Sequence, residues 1–429
     1  MKKIVILGAG FGGIKAAFAL CQAIESRGLQ NKYELTLVDR NPYHTYTPTL
    51  YEIATTSKET ANQVNLEHIV TFSIPQIFRG RCITFLQKIV AKIDLIGGDV
   101  HFQDQTKIKC DYLVFALGAE TNYFGIPGLE KNALSLKTFK DAILIREKIL
   151  ERVYEIQFGQ ELKILVGGGG ATGIELAGEI QSWLMDLNKE FKKFRFSVKI
   201  VEAAPAILAG FDKRVFEKVS RRLKKIGVDV LTGEAITQIE PRNIILKSGK
   251  SLDFDVLIWT GGVKAVSLMA DLPLKKEQRG KVEVVGEMQC LSHTPDLKLY
   301  GKIYGLGDAV CSYNPATGKP VPLMAEAAIE QAKVVAYNIL EDIKVEEGLA
   351  KQPNYKKYRP EKEFPYVIPV GGKFAVAKWG PLVLSGLAGW ILKGLVEIYY
   401  LLFNVLPPFQ AIKIWLKGLW IFTRNDRLG

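Results

Sequence analysis

Ile4-Val5-Ile6-Leu7-Gly8-Ala9-Gly10-Phe11-Gly12-Gly13-Ile14 is the stretch that decides the fold. An unbroken aliphatic run, Lys3–Leu7, reads as a short buried strand, and the glycines that follow read as a tight turn. Ile14–Ser26 then places Ala17, Leu20 and Ile24 at helical spacing, and Tyr33–Asp39 reads as a second strand. Strand, glycine turn, helix and strand make a βαβ unit. Gly8 permits the turn, Gly10 lets the backbone approach a pyrophosphate, and Gly13, next to Gly12, lets helix and strand pack closely. Asp39, closing the second strand, stands where an acid accepts hydrogen bonds from an adenosine ribose.

The pattern returns 160 residues later. Leu162–Val166 is a strand, Gly167-Gly168-Gly169-Gly170-Ala171-Thr172-Gly173 a turn, Ile174 to about Leu187 a helix, and Ser197–Glu202 a strand. Gly168, Gly170 and Gly173 repeat the glycine roles, Thr172 lies among them, and Glu202 repeats the acid. Gly167 occupies a position where a β-branched residue is usual, so the registration of the second copy is less firm than that of the first. A carboxylate at Glu202 binds a ribose diol and repels a 2′-phosphate, which favours NADH over NADPH. Each copy also has a later buried strand ending in glycine. These are Asp111–Ala119, with Ala116 and Gly118, and Asp255–Gly262, with Gly261 and Gly262.

Two nucleotide folds in one chain suggest two nucleotides meeting, a resident FAD and a visiting NADH being the economical pair. Gly307-Asp308-Ala309 fits this, since an acid after a late strand can hold the ribityl hydroxyls of a flavin. Pro322 to Leu340 reads as a helix with proline in its first turn and Ala325, Ala328, Ala332 and Ala336 along it. Its N-terminal N–H groups and dipole would suit a reduced flavin ring.

The 429 residues carry 57 basic and 45 acidic side chains, a net charge of +12, which asks for an anionic partner such as a nucleotide or a lipid surface. Neither zinc spacing nor an aromatic–basic RNA motif accompanies that charge, so nucleic acid is not expected. No two of Cys21, Cys82, Cys110, Cys290 and Cys311 lie within five residues of each other. That spacing excludes a CxxC pair and the usual zinc motifs, and no metal is expected. No signal peptide opens the sequence, so a cytoplasmic location is expected. Residues 344–365 are charged and proline-bearing and read as a connector. Residues 373–429 hold seven Lys/Arg, two acids and Trp379, Trp390, Trp415 and Trp420. Their longest uncharged runs, 379–392 and 398–412, fall short of the roughly 18–20 apolar residues of a spanning helix. In 411–422 a narrow cationic stripe, Lys413 and Lys417, faces Ile412, Trp415, Leu416 and Leu419, as in a helix lying in a membrane interface. A core or homodimer helix is the alternative use of that face.

The sequence resembles the type II NADH:quinone oxidoreductases, members of the flavoproteins with two dinucleotide-binding domains. The matching pieces are Val38-Asp39-Arg40-Asn41 with His44 and Pro48, Leu50-Tyr51-Glu52-Ile53-Ala54-Thr55, Ala116–Ala119 with Thr121–Gly128, Gly173–Glu179, Gly307-Asp308, and Phe422–Arg427. The resemblance implies non-covalent FAD, NADH oxidation, quinone reduction without proton pumping, and peripheral attachment to the cytoplasmic face of the cell membrane. It places Pro48 and Thr49 beside the isoalloxazine ring, Arg40 among the FAD-binding residues and Glu175 near the nicotinamide. The quinone helix of the family reads Ala-Gln-x-Ala-x-Gln. Here Ala325-Glu326-Ala327-Ala328-Ile329-Glu330 has glutamate for both glutamines, with Gln331 one place later. An ionised glutamate only accepts hydrogen bonds, whereas a partly buried one has a raised pKa and can donate a proton. Glu326, Ile329 and Glu330 are therefore the quinone-site candidates, the two acids also as proton sources.

The expected architecture is α/β, with two Rossmann-like dinucleotide-binding domains of the glutathione-reductase type and a C-terminal amphipathic membrane-binding segment. Residues 1–130 with 265–345 are expected to hold FAD, 131–264 NADH, and 346–429 to form the connector and membrane unit. The rival readings are a sulfide:quinone oxidoreductase, which needs cysteines flanking the flavin, and a soluble-acceptor NADH-dependent reductase, which has no need of the tail. A nucleotide sensor or membrane scaffold without turnover would bind both cofactors and reduce nothing.

Overall fold

The two glycine-bearing strands are the centres of two parallel five-stranded sheets. The computed structural model describes residues 1–63, 65–191 and 194–425, and the chain forms two units. The first comprises residues 1–44, 72–120 and 263–362; the second comprises 45–71, 121–262 and 363 onward. Asp426 and Arg427 of the family-like tail signature lie outside the described residues.

In the first unit the strand order is Ile303–Gly305, Tyr112–Phe115, Lys2–Leu7, Tyr33–Asp39 and Ile83–Gln87, every pair parallel. In the second it is Leu134–Ser135, Val256–Trp259, Glu161–Gly167, Arg195–Glu202 and Val228–Thr232, again parallel throughout. Ile4, Ile6, Leu35 and Val114 are fully shielded in the first unit, and Ile164, Val166, Ile200 and Ile258 in the second. Such aliphatic strands, covered on both faces, are what a parallel sheet requires. Each unit inserts a three-stranded antiparallel sheet at the same point, before the strand that ends in glycine. The inserts are Val90–Asp94, Asp99–Phe102, Lys107–Lys109 and Ile236–Glu240, Asn243–Leu246, Ser251–Asp253.

The register removes the ambiguity at Gly167. Leu7 pairs with Val38 and Gly167 pairs with Val201, so Gly167 is the equivalent of Leu7 and Gly168 that of Gly8. A side chain at 167 would strike the Trp259 ring, which is why glycine replaces the usual branched residue there.

Helix boundaries depart from the sequence reading. The first helix spans Phe11–Glu25, taking the last glycines of the turn into its first turn. The late helix spans Ala325–Glu346, so Pro322 lies before it and is not in its first turn. The Val321 N–H donates to Ser312 O, and Met324 keeps extended backbone angles, which holds the chain straight until Ala325.

The tail corrects another expectation. Strands Tyr366–Pro369, Ala375–Trp379 and Leu382–Gly386 form an antiparallel sheet. The helix Leu387–Tyr400 then runs on as a π-turn, Leu401–Val405, and a last helix covers Pro408–Asn425. Leu387–Val405 is by length and composition sufficient to cross a membrane, although uncharged runs alone had excluded it. The runs are broken by Lys393 and Glu397, and both point inward, Glu397 being 7% exposed. Only 28% of the stretch is buried, so it is not an ordinary core helix.

Candidate active site

In the first unit the turn at Gly8 is built as its sequence requires. Gly8 has φ +105° and its N–H donates to Val38 O. A Cβ on Gly13 would lie 1.9 Å from Gly8 O, so no larger residue fits. Gly10 is the opposite case, with no atom within 4 Å of the place a Cβ would take. No side chain among the described residues caps the helix N-terminus there. Open space over uncapped N–H groups suits a pyrophosphate. Gly12 faces the late helix, where a Cβ would meet Leu306 and Ala328.

Asp39 organises this loop. Its Oδ2 accepts from Ala9 N (2.7 Å) and its Oδ1 from Asn41 N (2.8 Å). Burial holds the carboxyl above the ordinary range, and these backbone donors pull it partly back. Each oxygen retains a lone pair for a ribose hydroxyl. His44 is buried and bonded through Nδ1 to Ala9 O (2.9 Å); burial lowers its pKa to about 4, so it stays neutral. Arg40 is exposed, Ala116 buried, and Gly118 has φ +71° just beyond the strand Tyr112–Phe115.

The short 3₁₀ turn Gly307–Ala309 carries a half-buried Asp308. Gln331 fastens this turn to the late helix. Its Oε1 accepts from Gly307 N (2.7 Å) and its Nε2 donates to Ser312 Oγ (3.0 Å). Gln331 is thus a buried tie and does not stand in for the missing glutamines. Ala325 opens the helix, and no side chain among the described residues caps it. Glu326 and Glu330 lie one turn apart on the outer face, while Ile329 is buried in the unit. Glu330 pairs with Lys333 at 2.5 Å. Desolvation and the neighbouring Glu330 raise the Glu326 carboxyl, and Lys333 and Lys15 oppose the rise.

The second unit repeats the cradle bond for bond. Gly168 has φ +110° and donates to Val201 O; a Cβ on Gly173 would lie 2.0 Å from Gly168 O; Gly170 faces open space. Glu202 takes the place of Asp39, accepting from Gly169 N (2.5 Å) and Ala204 N (2.7 Å). Thr172 is exposed at the start of the helix Ala171–Phe191, and Gly261 and Gly262 follow the strand Val256–Trp259. Trp259 donates through Nε1 to Asn122 O.

Pro48 is exposed and Thr49 is buried, its hydroxyl donating to Tyr46 O. Glu175 is half-buried, and desolvation raises its carboxyl well above the usual range. Its field, with that of Glu397, reaches Tyr46, whose ring stacks on Tyr400 at 5.2 Å. Glu52, 2% exposed, forms an ion pair with Lys393 and accepts from Tyr51 OH (2.8 Å), and the Lys393 ammonium lies 5.4 Å from the Tyr51 ring centre. Sequence reasoning missed Tyr46, Glu52, Lys393, Glu397 and Tyr400 as a group. The only signal was the family-like run Leu50–Thr55, which says nothing of a partner some 340 residues away.

Two such cradles, each with its acid, define an oxidoreductase that binds two dinucleotides. The pyridine nucleotide-disulphide oxidoreductase family matches residues 2–332. The type II NADH:quinone oxidoreductase of Haemophilus influenzae is 30% identical over 369 residues, covering 79% of this chain and 80% of the relative. The enzyme of that name from Mycobacterium tuberculosis is 26% identical over 425 residues, covering 93% and 84%. Among solved structures, NDH2 from Plasmodium falciparum in complex with NADH superposes with a TM-score of 0.79 at 19% identity, covering 99% of this chain and 100% of that one. The sulfide:quinone oxidoreductase of Aquifex aeolicus has the same fold, with a TM-score of 0.72 at 19% identity, covering 99% and 92%. The chain belongs to the type II NADH:quinone oxidoreductases of the pyridine nucleotide-disulphide oxidoreductase family.

Proposed function

We propose that this protein oxidises NADH and reduces a membrane quinone through non-covalently bound FAD, without pumping protons. The observation that carries the reading is the duplicated cradle with its two acids in equivalent register, Asp39 and Glu202. FAD held there would supply acceptance of a hydride from NADH and delivery of two electrons to quinone. Residues 1–130 with 265–345 are assigned to FAD and 131–264 to NADH. In the first, Gly8, Gly10 and Gly13 leave N–H groups for the pyrophosphate, Asp39 and Arg40 serve the adenosine end, and Asp308 the ribityl chain. Pro48, Thr49, Ala116, Gly118 and Ala325 complete the FAD assignment. In the second, Gly168, Gly170, Thr172 and Gly173 face the NADH pyrophosphate, Glu202 the ribose diol, and Gly261 and Gly262 the nicotinamide half.

Glu175 is assigned to the nicotinamide side, where desolvation, by raising its carboxyl, disfavours the charge that would repel an electron-rich ring. Glu326 and Glu330, with Ile329, are assigned to quinone. Glu326, its carboxyl raised by desolvation and by Glu330, is the proton-source candidate for the reduced quinone. Residues 346–429 form the connector and membrane unit, and the protein sits peripherally on the cytoplasmic face. Leu387, Ile391, Leu395, Tyr399 and Phe403 recur every fourth residue and are all exposed, which is the face an anionic bilayer would cover, with Lys413 and Lys417 beside its lipid headgroups. The same face is what a homodimer would bury.

The test is a visible spectrum of protein purified from membranes in detergent, followed by NADH and then a short-chain quinone. A yellow chromophore that NADH bleaches and quinone restores is expected. A chain that stays colourless after soaking with FAD, or a bleached flavin that quinone leaves bleached, overturns the reading.

A further inference from the structure

Sequence spacing separates Cys21 from Cys82, yet the fold brings their sulfurs to 2.8 Å. Cys21 and Glu25 lie one turn apart on the helix Phe11–Glu25, so they share a face. Cys82 immediately precedes the strand Ile83–Gln87 that runs past this face, and its N–H donates to Glu25 Oε1 at 3.2 Å. The two sulfurs and a carboxylate oxygen all lie within 4.8 Å of one another. Cys21 is buried, whereas Cys82 and Glu25 are half-buried.

We propose that Cys21, Glu25 and Cys82 form a binding site for a thiophilic divalent cation, with zinc the best fit and water as its fourth ligand. Two sulfurs and one carboxylate oxygen make a donor set suited to tetrahedral zinc, whereas magnesium and calcium favour oxygen alone. Zinc–sulfur bonds of about 2.3 Å would set the sulfurs about 3.8 Å apart, so the pair opens by about 1 Å on loading. Loading releases two protons: zinc and two thiols give two zinc–thiolate bonds and two H⁺, and the carboxylate adds a third bond. The resulting charge, +2 from zinc and −3 from the ligands, is −1. The Arg81 guanidinium, 3.7 Å from Glu25, offsets it. Cys21 lies eight residues beyond Gly13, about 12 Å along the helix, so the site is separate from the cradle. It does not depend on the activity proposed above.

The experiment uses the full-length, flavin-loaded protein, reduced with a phosphine and titrated with Co²⁺ as a spectroscopic probe. One cobalt per chain is expected, with tetrahedral d–d bands to the red of the flavin absorption, displaced by zinc. Cys21→Ser and Cys82→Ser should lose the bands, while replacing Cys110, Cys290 and Cys311 by serine should leave them. Glu25→Gln should bind at least about tenfold more weakly, the loss that even an outer-shell partner typically causes. Its flavin content and NADH oxidation should be unchanged, which shows that the variant folds. Bands that persist in Cys21→Ser overturn the proposal. So does a reduced protein that takes up no cobalt and instead loses two hydrogens to form a Cys21–Cys82 disulfide in air.

Discussion

Glu202 and Asp39 each accept two backbone N–H groups, and in the proposed function each carboxylate also serves a ribose. Glu202→Gln should remove the charge that repels a 2′-phosphate. The NADPH to NADH ratio of kcat/KM, measured on the membrane-bound enzyme, is expected to rise by about tenfold, or about 1.4 kcal/mol. An unchanged ratio would place the ribose elsewhere. Glu175 yields a pH prediction. Its carboxyl titrates higher in the folded chain than the ordinary 4.5, so the native state binds the extra proton between the two values. Stability is therefore lost as pH rises through the folded value. Glu175→Gln should match the parent in melting temperature near pH 4 and exceed it progressively at higher pH. A constant offset in a pH series of thermal melts would refute this. The glycines and the two acids were legible because their roles are local and repeat at fixed spacing. Glu52, Lys393 and Cys82 were not, because a buried partner far along the chain leaves no periodic trace.

Two elements make local sequence reasoning succeed at one end of the chain and fail at the other. The glycine turns follow from backbone geometry, so Gly8→Ala and Gly168→Ala should each damage one cradle. The first is expected to yield protein depleted of flavin. The second should keep its flavin while KM for NADH rises, because a Cβ at 168 would lie 2.7 Å from Gly261. Equal flavin loss in both would argue against separate cradles. The late helix was expected to start at Pro322 but starts at Ala325, since one strand-like bond from Val321 outweighs a proline preference. The helix Leu387–Tyr400 was broken up by charge counting because Lys393 and Glu397 interrupt its uncharged run. Lys393→Met leaves Glu52 buried without its cation and should destabilise the protein by about 3–5 kcal/mol. Adding Glu52→Gln should restore much of that in chemical denaturation. No recovery would mean that Lys393 acts elsewhere.

Across the whole molecule, the exposed stripe from Leu387 to Phe403 is the feature a water-soluble chain would least tolerate. Leu395→Glu combined with Phe403→Glu is expected to release the protein from anionic vesicles in a flotation assay while leaving oxidation of NADH by a soluble acceptor intact. Retention on vesicles would show that the stripe serves another contact. The fold class was readable from two short motifs because duplication wrote it twice. The duplication has one more effect. If both cradles take a pyrophosphate on their matching amides, as proposed, neither can tell FAD from NADH by that end of the molecule. Selectivity must come from the isoalloxazine and nicotinamide ends. A headless fragment such as ADP-ribose should then compete with NADH for the cradle that empties at each turnover and leave the cradle holding its resident occupant untouched.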